Sequence, residues 1–271
     1  MRNLAIVIQN KNENVTPIDT INAINSNNFK NVFIQWYNEN CEYTQEQQLE
    51  LARQLGLNVI FAHLEYKKIN SIWLEGEEGN QVVESYKNDL DICKKNNINL
   101  VIMHLTTSKN PTMYSEIGLE RIKEISEYAK KLDIKIAFEN TRKQGYLEYV
   151  LGNIKDEHIG ICFDIGHYHT HFKDEFNFEF FKNRIFAVHL HDNHGDGIDE
   201  HLLPFDGNIN WEDTVKKLVE CNYNGPITLE SCYRNEYLNK MSLNEFYKNA
   251  YIQGEKISKI FEKYDKSKSL Q

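Results

Sequence analysis

The chain has 271 residues, 41% of them hydrophobic and 26% charged, with a formal net charge of −9. That length suits two small domains or one large α/β barrel, and the acidic balance argues against a phosphate backbone as the main partner. The longest early apolar run, Leu4–Ile8, is far too short for a signal or membrane-spanning segment, and the five cysteines show no CxxC spacing, so a cytoplasmic protein with reduced, packing cysteines is expected.

The chain alternates strand and helix without a long linker. Strand one is Leu4–Ile8, apolar throughout as for a strand covered on both faces. Thr16-Pro17 opens a helix through Asn25, with proline at a tolerated first-turn position. Val32–Trp36 is strand two, followed by a helix from Thr44 to Leu55 that Gly56 stops. Leu57–Ala62 is strand three. The long connection Leu64–Gln81, with Trp73 in it, suggests a functional flap or a small insertion over the barrel mouth. A helix over Val82–Asn96 leads to strand four, Leu100–Met103, and a helix from Tyr114 to Leu132 carries apolar residues at helical spacing. Strand five is Ile134–Phe138, with a short helix at Tyr146–Leu151. Strand six is Ile159–Phe163, with a helix at Phe176–Lys182. Strand seven is Ile185–Val188, then a helix Trp211–Cys221 capped by Asn210. Strand eight is Pro226–Leu229, and a last helix runs from Leu243 to Tyr264 behind Ser242.

Eight strand–helix units in this length predict a (β/α)8 TIM barrel, a single domain over residues 1–265 with 266–271 as a frayed tail. An open doubly wound sheet is the alternative, but Ile8-Gln9-Asn10-Lys11-Asn12 lacks the glycines of a dinucleotide fingerprint.

Strands three to eight run directly into His63, His104, Glu139, Asp164, His189 and Glu230. In a barrel these ends share one mouth. Six such groups in succession, none Lys or Arg, point to a bound divalent cation, because neutral imidazole and carboxylate together suit Zn2+, Mn2+ or Fe2+. The stretch after strand seven, His189–Gly207, adds further histidines and acids. Trp36 and Tyr37 end strand two and are candidates for stacking on a sugar face or, equally, for core packing. Arg142 is a candidate anion contact or a surface ion pair. His158, His169, His171, His191 and His194 read as hydrogen-bonding histidines.

The segments Ala137-Phe138-Glu139-Asn140, Cys162-Phe163-Asp164-Ile165-Gly166-His167, Val188-His189-Leu190-His191-Asp192 and Leu229-Glu230-Ser231 resemble the xylose isomerase-like TIM barrels, which include the sugar phosphate isomerases/epimerases and the endonuclease IV enzymes. The resemblance implies one divalent ion, Zn2+ or Mn2+, on Glu139, Asp164, His189 and Glu230. It also implies proton transfer by Glu139 and Glu230 through a metal-bound cis-enediolate of a sugar or sugar phosphate, with His167 and His104 toward the substrate. The partner it implies is a small-molecule sugar, with no membrane, and a homo-oligomer stays open. It equally supplies counterparts for a site of up to three ions, with His63, His104, His167, Asp199 and His201 as the additional ligands. That is the argument for the alternative, a zinc-dependent abasic-site DNA endonuclease. A barrel that has lost catalysis and only binds is a third reading, against which the pair Glu139 and Glu230 speaks. The chain departs from the family pattern at Phe205, where relatives often carry glycine, and has no arginine between Arg184 and Arg234.

Overall fold

The computed structural model describes residues 1–9, 15–36, 43–108, 110–172 and 176–269, so Tyr37, Cys41 and the last two residues of the expected tail lie outside the described residues. Eight parallel strands make the sheet: β1 (Leu4–Ile8), β2 (Asn31–Gln35), β3 (Asn58–His63), β4 (Leu100–His104), β5 (Lys135–Glu139), β6 (Ile159–Asp164), β7 (Ile185–His189) and β8 (Ile227–Leu229). Neighbours run in chain order from β1 to β7, and β8 pairs with β1. The last gap is closed just past β7. There the Leu190 N–H donates to the Thr228 carbonyl at 2.9 Å and the Glu230 N–H donates to the Leu190 carbonyl at 3.0 Å. The predicted single-domain barrel is the fold.

The helices of the outer layer are α1 (Pro17–Ser26), α2 (Gln45–Gln54), α3 (Glu77–Lys95), α4 (Glu116–Lys131), α5 (Tyr146–Asn153), α6 (Ile165–His167), α7 (Phe178–Phe181), α8 (Trp211–Glu220), α9 (Asn235–Leu238) and α10 (Leu243–Ser269). Thr16 and Asp19 form a capping box at α1, Thr44 and Gln47 one at α2, and the Asn210 side chain accepts from the Asp213 N–H at α8. These caps satisfy first-turn donors that would otherwise lack partners.

Strand alternation divides the core in two. Val7, Phe33, Phe61, Ile102, Ala137, Cys162 and Ala187 fill the barrel interior. Their neighbours along the strands, such as Ile6, Ile34, Val101, Phe138, Phe163 and Val188, face the helices. Each fully buried side chain of this size contributes roughly 1.5–3 kcal/mol before entropy is counted.

Several expectations need correction. The segment 64–81 is a small packed insertion and not a flap, with Tyr66 at the cavity wall. A 3-10 turn, Ile69–Trp73, and the first residues of α3 occupy it, and Trp73 is buried with its indole N–H donated to the Leu105 carbonyl at 2.7 Å. Its apolar bulk packs between helices instead of standing over the mouth. Trp36 also turns outward, buried in the layer between barrel and helices and absent from the cavity lining, so it is not a substrate contact here. The reason is parity: Phe33 and Gln35 face inward, which sends residue 36 the other way. The helix expected to end at Tyr264 continues to Ser269. The short α6, the turn Tyr168–Phe172 and α9 were not expected, and the helix drawn over Phe176–Lys182 shrinks to α7.

Candidate metal centre

The alternation that fills the barrel with apolar side chains turns one more residue inward on each strand, two positions further along. Those residues are Gln9, Gln35, His63, His104, Glu139, Asp164, His189 and Glu230. All but Gln9 are buried. The phenyl ring of Phe33 stacks under His189, centroids 5.3 Å apart, so the polar ring rests on an apolar floor.

Within that ring, one ligand atom each from Glu139, Asp164, His189 and Glu230 lies within 4.8 Å of all the others. His189 Nδ1 is 3.4 Å from Glu139 Oε2, 3.5 Å from Glu230 Oε2 and 3.9 Å from Asp164 Oδ2. Neither ring nitrogen of this fully buried imidazole has a hydrogen-bond partner. Buried polar atoms are almost always satisfied, and three carboxylates at this depth need a compensating positive charge. Donor atoms 3.4–3.9 Å apart also suit a common ion with bonds of about 2.0–2.2 Å. The residues therefore fit a divalent cation.

The expected additional ligands gather beside them. His63 Nε2 and His104 Nε2 each lie 3.1 Å from Glu139 Oε2. On the other side Asp199 Oδ2 is 3.0 Å from His201 Nε2 and 3.4 Å from His167 Nε2. His167 Nδ1 is 3.2 Å from Glu139 Oε1. Burial works against charge on Glu139, yet His104 and His189 hold its carboxyl well below the ordinary range. Burial likewise opposes a charged His167, but Asp164 and Asp199 raise its imidazole well above the ordinary value. Asp199 is pulled well below its own against the same penalty, by His201 and His167.

Local structure explains how the loops deliver these groups. The Asp164 side chain caps α6 by accepting from the His167 N–H at 2.6 Å, which aims His167 back into the site. The Asn140 side chain bridges β5 to β6, donating to the Asp164 carbonyl and accepting from its N–H, both at 2.8 Å. Asp192 ties down the loop that carries Asp199 and His201. Its carboxylate accepts the N–H groups of Asn193, Phe205 and Ile209 and the indole N–H of Trp211. Phe205 takes φ 73°, the left-handed region that favours glycine.

Above the ring opens a cavity of about 310 Å3 whose lining includes Glu139, Glu230, the flanking His63, His104, His167, Asp199 and His201, and Arg142, while Asp164 and His189 lie behind it. Arg142 is thus at the cavity wall. His158 pairs with Asp156 and His194 with Glu200, as hydrogen-bonding histidines do.

A profile of the xylose isomerase-like TIM barrels matches residues 21–252. The chain belongs to that family. The protein y4fM of Sinorhizobium fredii is 26% identical to it over 163 residues, 55% of this chain and 52% of that protein. The chain spans between 41% and 52% of the length of the curated relatives it matches. A solved L-ribulose 3-epimerase superposes with a TM-score of 0.76 at 14% identity, covering 100% of this chain and 98% of that one. The IolI protein with a bound zinc atom gives 0.74 at 19% identity, covering 97% and 99%. At these identities the structures establish the shared fold.

Within the family frame, sequence reasoning missed Gln35, Tyr66 and the role of Asp192, and read His191 only as a hydrogen-bonding histidine without its partner. Gln35 donates to Glu230 Oε1 at 3.2 Å. Tyr66 stacks on His104, ring centroids 4.1 Å apart. His191 binds Asp164, and Asp192 holds the loop. Parity along β2 was the available signal for Gln35. No sequence signal marked Tyr66, which reaches the site from a turn.

Proposed function

We propose that the protein is a divalent-metal-dependent isomerase or epimerase of a small ketose, working by proton transfer next to the carbonyl. The observation that carries this reading is that two buried glutamates, Glu139 and Glu230, line a sugar-sized cavity and converge behind it on His189, whose ring nitrogens make no hydrogen bond. Glu139, Asp164, His189 and Glu230 would hold the ion, whose contribution is to polarise the carbonyl and adjacent hydroxyl oxygens so that the neighbouring C–H becomes acidic enough to lose its proton. One glutamate takes that proton, and the other returns a proton to the opposite face or to the neighbouring carbon. Gln35 fixes the Glu230 carboxylate through Oε1. His167, held by the Asn140 carbonyl at 3.0 Å, presents its other nitrogen toward the cavity beside Asp199. The native ion, Zn2+ or Mn2+, is a matter for elemental analysis.

The test is a ketose panel incubated in D2O with protein loaded in turn with Zn2+ and Mn2+. At least one ketose takes up deuterium next to its carbonyl, and Glu139→Gln and Glu230→Gln slow uptake by about 10^2 or more. Full turnover in Glu230→Gln overturns the two-glutamate mechanism.

A second reading, an abasic-site endonuclease with three zinc ions, draws on the ligand groups flanking the central four. Against it stand the net charge of −9 and a lining whose one Lys or Arg among the described residues is Arg142. Three ions per chain, with incision of an abasic duplex lost in Glu139→Gln, would establish it in place of the first.

A further inference from the structure

The following rests on the ketose reading and adds the class of substrate. Two loops stand side by side at one wall of the cavity: Thr106, Thr107 and Ser108 after β4, and Thr141 and Arg142 after β5. Asn70, from the turn before α3, pins the first loop. Its Oδ1 accepts from the Thr106 hydroxyl and the Thr107 N–H, both at 2.9 Å, and its Nδ2 donates to the Thr107 carbonyl at 2.8 Å. The pinned loop leaves hydroxyls to spare. Among the described residues, those of Thr107, Ser108 and Thr141 make no hydrogen bond, and the half-buried Arg142 guanidinium makes neither a hydrogen bond nor an ion pair.

The acids of the same cavity do not answer Arg142: Glu139 and Asp199 face histidines and Glu230 faces Gln35. An unpaired guanidinium beside three free hydroxyl donors matches a tetrahedral oxyanion. Such a group offers two oxygens to an arginine fork and a third to hydroxyl donors on the same cavity wall. A carboxylate has only two oxygens to offer, and a neutral hydroxyl leaves the positive charge unanswered. These residues lie two to four positions past the inward ring, so the anion binds toward the mouth while the carbonyl end reaches the floor.

We propose that Arg142 with Thr107, Ser108 and Thr141 forms a phosphate subsite, and that the substrate is a ketose phosphate ester.

The test uses the metal-loaded protein with D-ribulose 5-phosphate and D-xylulose 5-phosphate against D-ribulose and D-xylulose, with inorganic phosphate as competitor. Deuterium uptake gives kcat and KM, and calorimetry gives binding. The esters are expected to show a KM at least tenfold below that of the free ketoses, with inorganic phosphate competing. Arg142→Gln raises the KM of the esters at least tenfold more than that of the free ketoses, and Arg142→Lys recovers part of the loss. Esters that serve no better than free ketoses, or an Arg142→Gln effect equal on both, overturn the subsite. Arg142-dependent binding of an ester without deuterium uptake supports the subsite and overturns the ketose reaction. Uptake into free ketoses with no competition from phosphate does the reverse.

Discussion

His191 Nε2 lies 3.2 Å from Asp164 Oδ2, and its ring stacks on His201 with centroids 4.1 Å apart. One fully buried imidazole thus orients a central ligand and supports a flanking one. Outer partners of this kind typically govern metal affinity by about 10–100-fold. His191→Ala is expected to weaken Zn2+ or Mn2+ binding within that range while the barrel still melts cooperatively. Competition with a chelating dye checks it, and unchanged affinity contradicts it.

Position 207 has no room for a side chain beside Asp192. A Cβ there would stand 2.4 Å from Asp192 Oδ1 and 2.5 Å from the Asn193 carbonyl oxygen, neither able to retreat because both are buried and bonded. Gly207→Ala is expected to destabilise by about 1–3 kcal/mol, read as a drop of some degrees in Tm. It should also loosen the loop bearing Asp199 and His201. A melt identical to the wild type would show that the loop yields.

Asp89, buried on α3, is pushed up to about 7, chiefly by burial and then by Glu65. In the unfolded chain the group titrates near 3.9. A raised acid costs the fold nothing below about pH 4, progressively more up to pH 7, and its full amount above. Asp89→Asn is therefore expected to raise Tm at pH 8, by about 2–4 kcal/mol of stability, with little change near pH 4. A gain independent of pH would place the cost elsewhere.

Gln35 touches only one oxygen of Glu230 and is no part of the four-residue cluster. Gln35→Met is expected to slow deuterium uptake about tenfold, a single hydrogen bond's worth of positioning, with metal content unchanged. Loss of the ion in this variant would make Gln35 part of the metal site instead.

Much of this was legible in the sequence because parallel strands bury both faces and read as apolar runs, and because a ligand ending each run stands out against them. His63, His104, Glu139, Asp164, His189 and Glu230 could be named that way, and the family resemblance singled out Glu139, Asp164, His189 and Glu230 among them. Trp36 was misjudged because strand ends were read without counting parity, which puts Gln35 inside and Trp36 out. Trp73 was misplaced because an apolar residue in a polar connection looks the same whether it packs under a helix or guards a mouth. Tyr66, Asn70 and the free hydroxyls of Thr107 and Ser108 come from turns, where no period reports which way a side chain faces.

The central claim is that Glu139, Asp164, His189 and Glu230 share one divalent ion. Titration of chelator-stripped protein with Zn2+ and Mn2+, wild type beside Glu139→Gln, Asp164→Asn, His189→Gln and Glu230→Gln, tests it most directly. The account predicts at least one tightly held ion per wild-type chain and an affinity reduced by tenfold or more in each of the four variants. A wild type that takes up no ion, or four variants that bind as the wild type does, would contradict it.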